Sequence, residues 1–184
     1  MVSAMLNELD VLRDVTSRLD KAGLLYMLTG SLAMNYYAEP RMTRDIDLVV
    51  ALAAEDARRI GELFSPDYYV SEEAAASAIS RGSVFNLIHL GTAIKVDFIV
   101  RKSSEYRRLE FERRRQTVID GLRVWIVSKE DLIVSKLFWA KDSESEMQLR
   151  DIKNLMATSC DDGYIERWVR QLGLEELWRR CASE

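Results

Sequence analysis

Asp45 and Asp47 stand one residue apart at the head of the apolar run Leu48-Val49-Val50. No other feature constrains the chain as much. The residues around the pair favour an extended strand. Side chains alternate faces in a strand, so Asp45 and Asp47 project from one face and Ile46 and Leu48 from the other. The fold therefore needs a sheet with one packed apolar face and an opposite face that carries charge. A later run repeats the arrangement. Ile94, Val96, Phe98 and Val100 share a face, and Asp97 lies opposite, beside Lys95 and Ile99. If the two strands are neighbours, three carboxylates converge.

The rest of the chain supplies such a sheet. Met5, Leu9, Leu12, Val15 and Leu19 recur at helical spacing, which predicts an amphipathic helix over 3–21 capped by Gly23. A strand over 24–30 ends at Gly30, and a short helix follows and stops before Pro40. Strand 45–52 precedes helices over 54–64 and 72–80. The runs SVFNLIHL and AIKVDFIV flank Gly91-Thr92 and predict a hairpin. Residues 103–117 are charged and read as helical, and 122–128 as a strand. Ser128 followed by Asp131 matches a helix-start capping box, and everything beyond reads as helix. The expected fold class is α/β (α+β): a small mixed β-sheet with flanking helices. Residues 1–127 would form the core and 128–184 a helical region packed on it, with the hinge-like segment KDSESE at 141–146.

Three ionised carboxylates cannot share a low-dielectric site without a compensating charge. A hard divalent cation removes the conflict, and oxygen ligands on a rigid sheet suit Mg²⁺ or Mn²⁺ better than zinc. Two such ions would clamp the attacking and leaving oxygens of a phosphoryl or nucleotidyl transfer. Upstream, Gly30 permits a sharp turn and a close backbone approach. Ser31 then opens a helix whose free N–H groups suit phosphate oxygens. Gly30-Ser31 and Asp45-x-Asp47 thus read as a phosphate cradle followed by a metal-binding pair.

This pattern, Gly30-Ser31, then Asp45-Ile46-Asp47-Leu48, then Val96-Asp97-Phe98, resembles the nucleotidyltransferase superfamily that includes DNA polymerase beta. PRMTRDIDLVV, KVDFIV and SKEDLIVSKLFWAK…LRDIKNLM look closest to minimal bacterial nucleotidyltransferases of the AbiEii toxin-like type. The resemblance implies a nucleotidyltransferase-like fold and an enzyme that moves NMP from an NTP, such as ATP, to an acceptor hydroxyl. It implies Asp45, Asp47 and Asp97 as catalytic metal ligands, with Asp97 helping to deprotonate the hydroxyl. Gly30, Ser31 and Lys136 would hold the nucleotide, and Asp151 falls in a downstream helical motif. The acceptor would be RNA, tRNA or protein, with a small molecule such as an antibiotic also open. A toxin–antitoxin role would bring a cognate antitoxin as partner. The alternative is a non-catalytic nucleotide-binding or antitoxin-like module on the same fold.

Other residues carry further expectations. Lys136 lies near the apolar seam of its helix and either snorkels outward or meets an anion. Arg41 and Arg44 reach nucleotide phosphates or pair with Asp45 or Glu39. The basic run at 107–116 reads as a solvated helix face before it reads as an RNA contact. The tryptophans, Trp125, Trp139, Trp168 and Trp178, read as core or interface aromatics, one of which could stack on a base. His89 is the lone histidine and reads as packed. A net charge of −4 excludes a polycation that binds nucleic acid through bulk charge. Apolar content of 48% suffices for a core. Two cysteines without a CxxC pair, an acidic N-terminus and no run near the roughly 18 apolar residues of a span predict a cytoplasmic protein with no membrane partner.

Overall fold

The structure is a computed structural model that describes residues 6–143 and 145–182. Helix α1 (Glu8–Ala22) starts at Asn7, whose side chain accepts from the N–H groups of Leu9 and Asp10 while Asp10 accepts from the Asn7 N–H. It ends at Gly23 in the left-handed conformation, as the sequence predicts. Met5 and the first residues of the predicted 3–21 helix lie outside the described residues. The elements that follow are β1 (Tyr26–Thr29), α2 (Gly30–Tyr37), β2 (Asp45–Val50), α3 (Asp56–Phe64), β3 (Tyr68–Val70), α4 (Glu72–Arg81), β4 (Val84–His89) and β5 (Lys95–Val100). Then come α5 (Glu105–Glu112), β6 (Arg115–Ile119), β7 (Leu122–Ile126), α6 (Lys129–Ser143), α7 (Glu146–Met156), α8 (Asp162–Leu172) and α9 (Glu175–Ala182).

The described strands form one mixed sheet in the order β3-β4-β5-β2-β1-β7-β6. Strands β2 and β5 run parallel, and β1 is antiparallel to β2. On one face Ile46, Leu48, Val50, Val96 and Phe98 are buried. Phe64 of α3 packs edge-on against Phe98 there, with ring centroids 5.7 Å apart. Helix α6 is buried on nearly all sides: residues 131–137 are all buried, as expected of a helix enclosed by its neighbours. Ser128 starts it as predicted, accepting from the Asp131 N–H at 3.2 Å. The predicted hinge coincides with the break between α6 and α7, although Glu144 lies outside the described residues.

Two elements differ from expectation. The helix predicted over 103–117 ends at Glu112, and Arg115–Ile119 is strand β6, paired with β7. Asp120 and Gly121 join them with φ of 45° and 75°, the conformation of a tight hairpin turn. Strand β3 was not foreseen.

The basic run is a solvated face only in part: Arg108, Glu112 and Arg115 are exposed, as expected, whereas other arginines are engaged. Arg107 donates to Glu110 at 2.8 Å and to Ser135 of α6 at 2.6 Å. Arg113 donates to the fully buried Asp131 at 2.9 Å and lies 3.9 Å from the centre of the Tyr164 ring. Arg114 covers the Phe111 ring at 4.2 Å. Arg107 and Arg113 fasten α5 and the turn after it to the helical region.

Candidate active site

Asp47 and Asp97 are direct register partners on the parallel strands β2 and β5, and Asp45 pairs with Lys95 two residues earlier. Thr29, the residue before Gly30, pairs with Asp47 from the other side. The Asp-x-Asp pair, the third carboxylate and the Gly-Ser turn therefore sit on three adjacent strands. Helix α2 starts at Gly30, one residue earlier than predicted, and Thr29 makes no side-chain cap there. Gly30 has φ +65°, and a Cβ at this position would lie 2.0 Å from Asp47 Oδ2. Only glycine brings this backbone against that carboxylate.

The carboxylates differ in environment. Asp45 is exposed. Asp47 is largely buried, and its carboxyl is pushed up to about 6, first by burial and then by the charges of Asp97 and Asp45. Asp97 is held on both oxygens: Asn86 of β4 donates to Oδ1, and Lys95 Nζ donates to Oδ2 at 3.0 Å. The same ammonium lies 3.8 Å from Asp45 Oδ1. Among the described residues, no group of three or more His, Cys, Asp or Glu side chains is gathered as a ready metal cage. The predicted convergence is thus correct in strand register but incomplete in side-chain geometry. Lys95 and Asn86 draw Asp97 aside, and Asp45 opens to solvent.

The donor set still fits a hard divalent cation. All three donors are carboxylates on paired strands. Burial first, and then their mutual repulsion, raises the Asp47 carboxyl, and a lysine ammonium already balances the Asp45–Asp97 corner.

A second cluster adjoins the first. Lys136 does not snorkel outward; its ammonium is buried and donates to Asp151 Oδ2 at 2.7 Å and Gln148 Oε1 at 3.1 Å. Burial lowers the Lys136 pKa, opposed by Asp151 and by the charge of Asp47. Arg41 grips Asp151 with Nε and Nη2, both at 2.9 Å, and Nη2 also donates to Ser31 Oγ at 2.7 Å. Arg41 therefore pairs with neither Asp45 nor Glu39. Burial tends to raise the Asp151 carboxyl, but Arg41 and Lys136 outweigh this and hold it below the ordinary range. Arg44 is exposed just before Asp45. His89 packs against Tyr68, with ring centroids 5.0 Å apart, and its Nδ1 lies 2.9 Å from Thr92 Oγ1.

Lys95, Asn86 and Gln148 are site residues that the sequence reading missed. A hairpin centred on Gly91-Thr92 puts Asn86 opposite Asp97, so that contact was available from the turn. Nothing local joins Arg41 to Asp151, 110 residues away.

Comparison with known proteins agrees with this layout. The chain superposes on an antigenic nucleotidyltransferase-like protein from Paracoccidioides brasiliensis with a TM-score of 0.56 at 19% identity, covering 80% of this chain and 74% of that one. It superposes on the lincosamide antibiotic adenylyltransferase LnuA, in its lincomycin-bound structure, with a TM-score of 0.56 at 17% identity, covering 84% and 99%. For the antibiotic-resistance factor ANT(2'')-Ia the values are 0.55 and 17%, covering 92% and 96%. At these identities the likeness establishes the fold. No curated protein matches the sequence closely enough to count as a relative. One family model, described as a nucleotidyltransferase of unknown function (DUF6036), matches residues 3–169. That match spans both the strands that carry the carboxylates and the helices that carry Lys136 and Asp151, and the chain belongs to this nucleotidyltransferase family.

Proposed function

We propose that the protein moves NMP from an NTP to an acceptor hydroxyl and releases pyrophosphate. The observation that carries this is the shared register of Asp47 and Asp97, with the Gly30 backbone set against Asp47. Asp45, Asp47 and Asp97 would hold Mg²⁺ or Mn²⁺. When bound, the metal would steady the triphosphate and lower the pKa of the attacking hydroxyl. The start of α2 at Gly30-Ser31 offers N–H groups to the leaving phosphates. Asp97, oriented by Asn86, takes the hydroxyl proton on a carboxylate oxygen. Arg44 lies free to meet the triphosphate, and Arg41 fixes the Ser31 hydroxyl.

The acceptor is best read as a small molecule. Two neighbours of this fold are an antibiotic adenylyltransferase and an antibiotic-resistance factor, and two arginines of the basic run that would meet RNA, Arg107 and Arg113, are tied to α6. An RNA or protein acceptor, and a toxin role with an antitoxin partner, rest on the motif resemblance alone. Among the described residues no helix is long and apolar enough to cross a membrane.

The test is label transfer. Protein, Mg²⁺ and each α-labelled NTP are incubated with cell extract, and label is followed into small-molecule, RNA and protein fractions. Transfer into any fraction, with pyrophosphate release, is expected. Mg²⁺-NTP binding with no label and no pyrophosphate would favour the non-catalytic module.

Lys95 gives a further expectation. Its ammonium occupies the corner that a metal would share, so it competes with that ion. Lys95→Met should tighten divalent-cation binding about threefold to tenfold, read by calorimetry. Weaker binding in the variant would show that Lys95 supports the ion.

A further inference from the structure

The sheet face that carries Asp47 and Asp97 continues into a cavity. Val49 and Ile99 lie two residues further along β2 and β5, on that same face by strand alternation, about 7 Å beyond the carboxylates. With Thr29 they line an opening of about 520 Å³, within the size range of small-molecule sites. Phe138 and Trp139 of α6 line the same cavity, and Trp139 is 49% exposed. The walls are thus apolar and partly aromatic, as a ring system requires.

The rim has a definite charge. Arg81, Arg101 and Lys102 line it and are exposed. A fourth cation, Arg107, is neutralised by Glu110, which is the one carboxylate in the lining and is itself buried. A cavity with a net positive lining, in a chain of net charge −4, selects its occupant by sign. A polycationic molecule meets repulsion here; an anion on an apolar ring meets both surfaces at once.

We propose, resting on the nucleotidyl-transfer reading above, that this cavity is the acceptor pocket and that the acceptor is a small ring-bearing organic anion with a hydroxyl. The ring lies between the Val49/Ile99 face and Trp139, and the anionic group meets Arg101 and Lys102. The hydroxyl points back toward Asp97. Its oxygen bonds to the α-phosphorus as the α–β bridging bond breaks, pyrophosphate leaves with that electron pair, and the hydroxyl proton passes to Asp97.

The test uses 6-hydroxynaphthalene-2-sulfonate, which combines ring, anion and hydroxyl, against neutral 2-naphthol. Fluorescence titration of the full chain should show saturable binding of the sulfonate, about tenfold tighter than 2-naphthol. The preference should vanish in Arg101→Glu/Lys102→Glu, and Trp139→Ala should weaken both ligands. If the double reversal does not fold, Arg101→Gln/Lys102→Gln should reduce the preference severalfold. Equal binding of the two naphthols, or a preference that survives in folded charge variants, would overturn the proposal. Displacement of the sulfonate by Mg²⁺-NTP would also overturn it, because the nucleotide's own base would then occupy the cavity. A wild-type melting temperature that ignores Mg²⁺-NTP, with the sulfonate preference intact, would count against nucleotidyl transfer while leaving the anion cavity in place.

Discussion

Asp47→Asn should remove NMP transfer, by about 10³-fold or more, while making the metal-free protein more stable at pH 8. The two effects share one cause. Asp47 packs against the Gly30 backbone and is the register partner of Asp97 on the neighbouring strand. Its carboxyl is raised from the ordinary aspartate value of 3.8 to about 6. A carboxyl raised on folding holds its proton more tightly in the native state. The associated stability is full below pH 3.8 and is lost as pH climbs through about 6. Above that, ionised Asp47 costs about 2–3 kcal/mol. Asparagine has the same shape without the charge, so its advantage should be present at pH 8, shrink between pH 6 and 4, and disappear below. Adding Mg²⁺ should reverse the order, because the ion stabilises only the protein that binds it. Melting curves from pH 4 to 8, with and without Mg²⁺, read all of this together. Turnover in the variant, or a variant less stable than wild type at pH 8 without metal, would sink the assignment of Asp47.

The pattern behind that prediction was legible in the sequence because it is local. Alternation put Asp45 and Asp47 on one face and Asp97 on the corresponding face of its strand, and φ +65° at Gly30 matches the turn expected there. Whether β2 and β5 were neighbours was not local, and only the sheet order settles it. Strand β6 departs from the expected helix because RRRQ looks like the continuation of a charged helix. The two-residue turn Asp120-Gly121, between Thr117-Val118-Ile119 and Leu122-Arg123-Val124, is the signal that outweighs it. Strand β3 spans three residues, too few for alternation to register. The fate of the arginines was hidden for a different reason. Composition shows a basic run, but burial of Asp131 and Glu110, which draws Arg113 and Arg107 inward, is a property of the packed protein.

The largest stability effect should come from Asp151. Its carboxylate is buried and accepts from Lys136 and twice from Arg41. Asp151→Ala leaves the Lys136 ammonium buried beside the Arg41 guanidinium with no anion between them. Breaking a buried pair from one side costs about 3–5 kcal/mol. Lys136→Met should cost less, about 1–2 kcal/mol, because Asp151 keeps both bonds from Arg41. The asymmetry has a pH signature. Burial lowers the Lys136 pKa below its ordinary value, and loss of Asp151 lowers it further. The penalty in Asp151→Ala is therefore full while Lys136 is charged in both states, and it is relieved as pH rises toward the unfolded value of 10.5. Denaturant titrations at pH 7 and 10 should show the gap to wild type narrowing. Function separates the two residues as well. If Lys136 turns from Asp151 to a nucleotide phosphate, as the family resemblance implies, Lys136→Met should fold well yet raise the KM for NTP about tenfold or more. An unchanged KM in a folded Lys136→Met variant would make Lys136 purely a partner of Asp151, with the phosphate contacts left to Arg44 and the Gly30-Ser31 backbone.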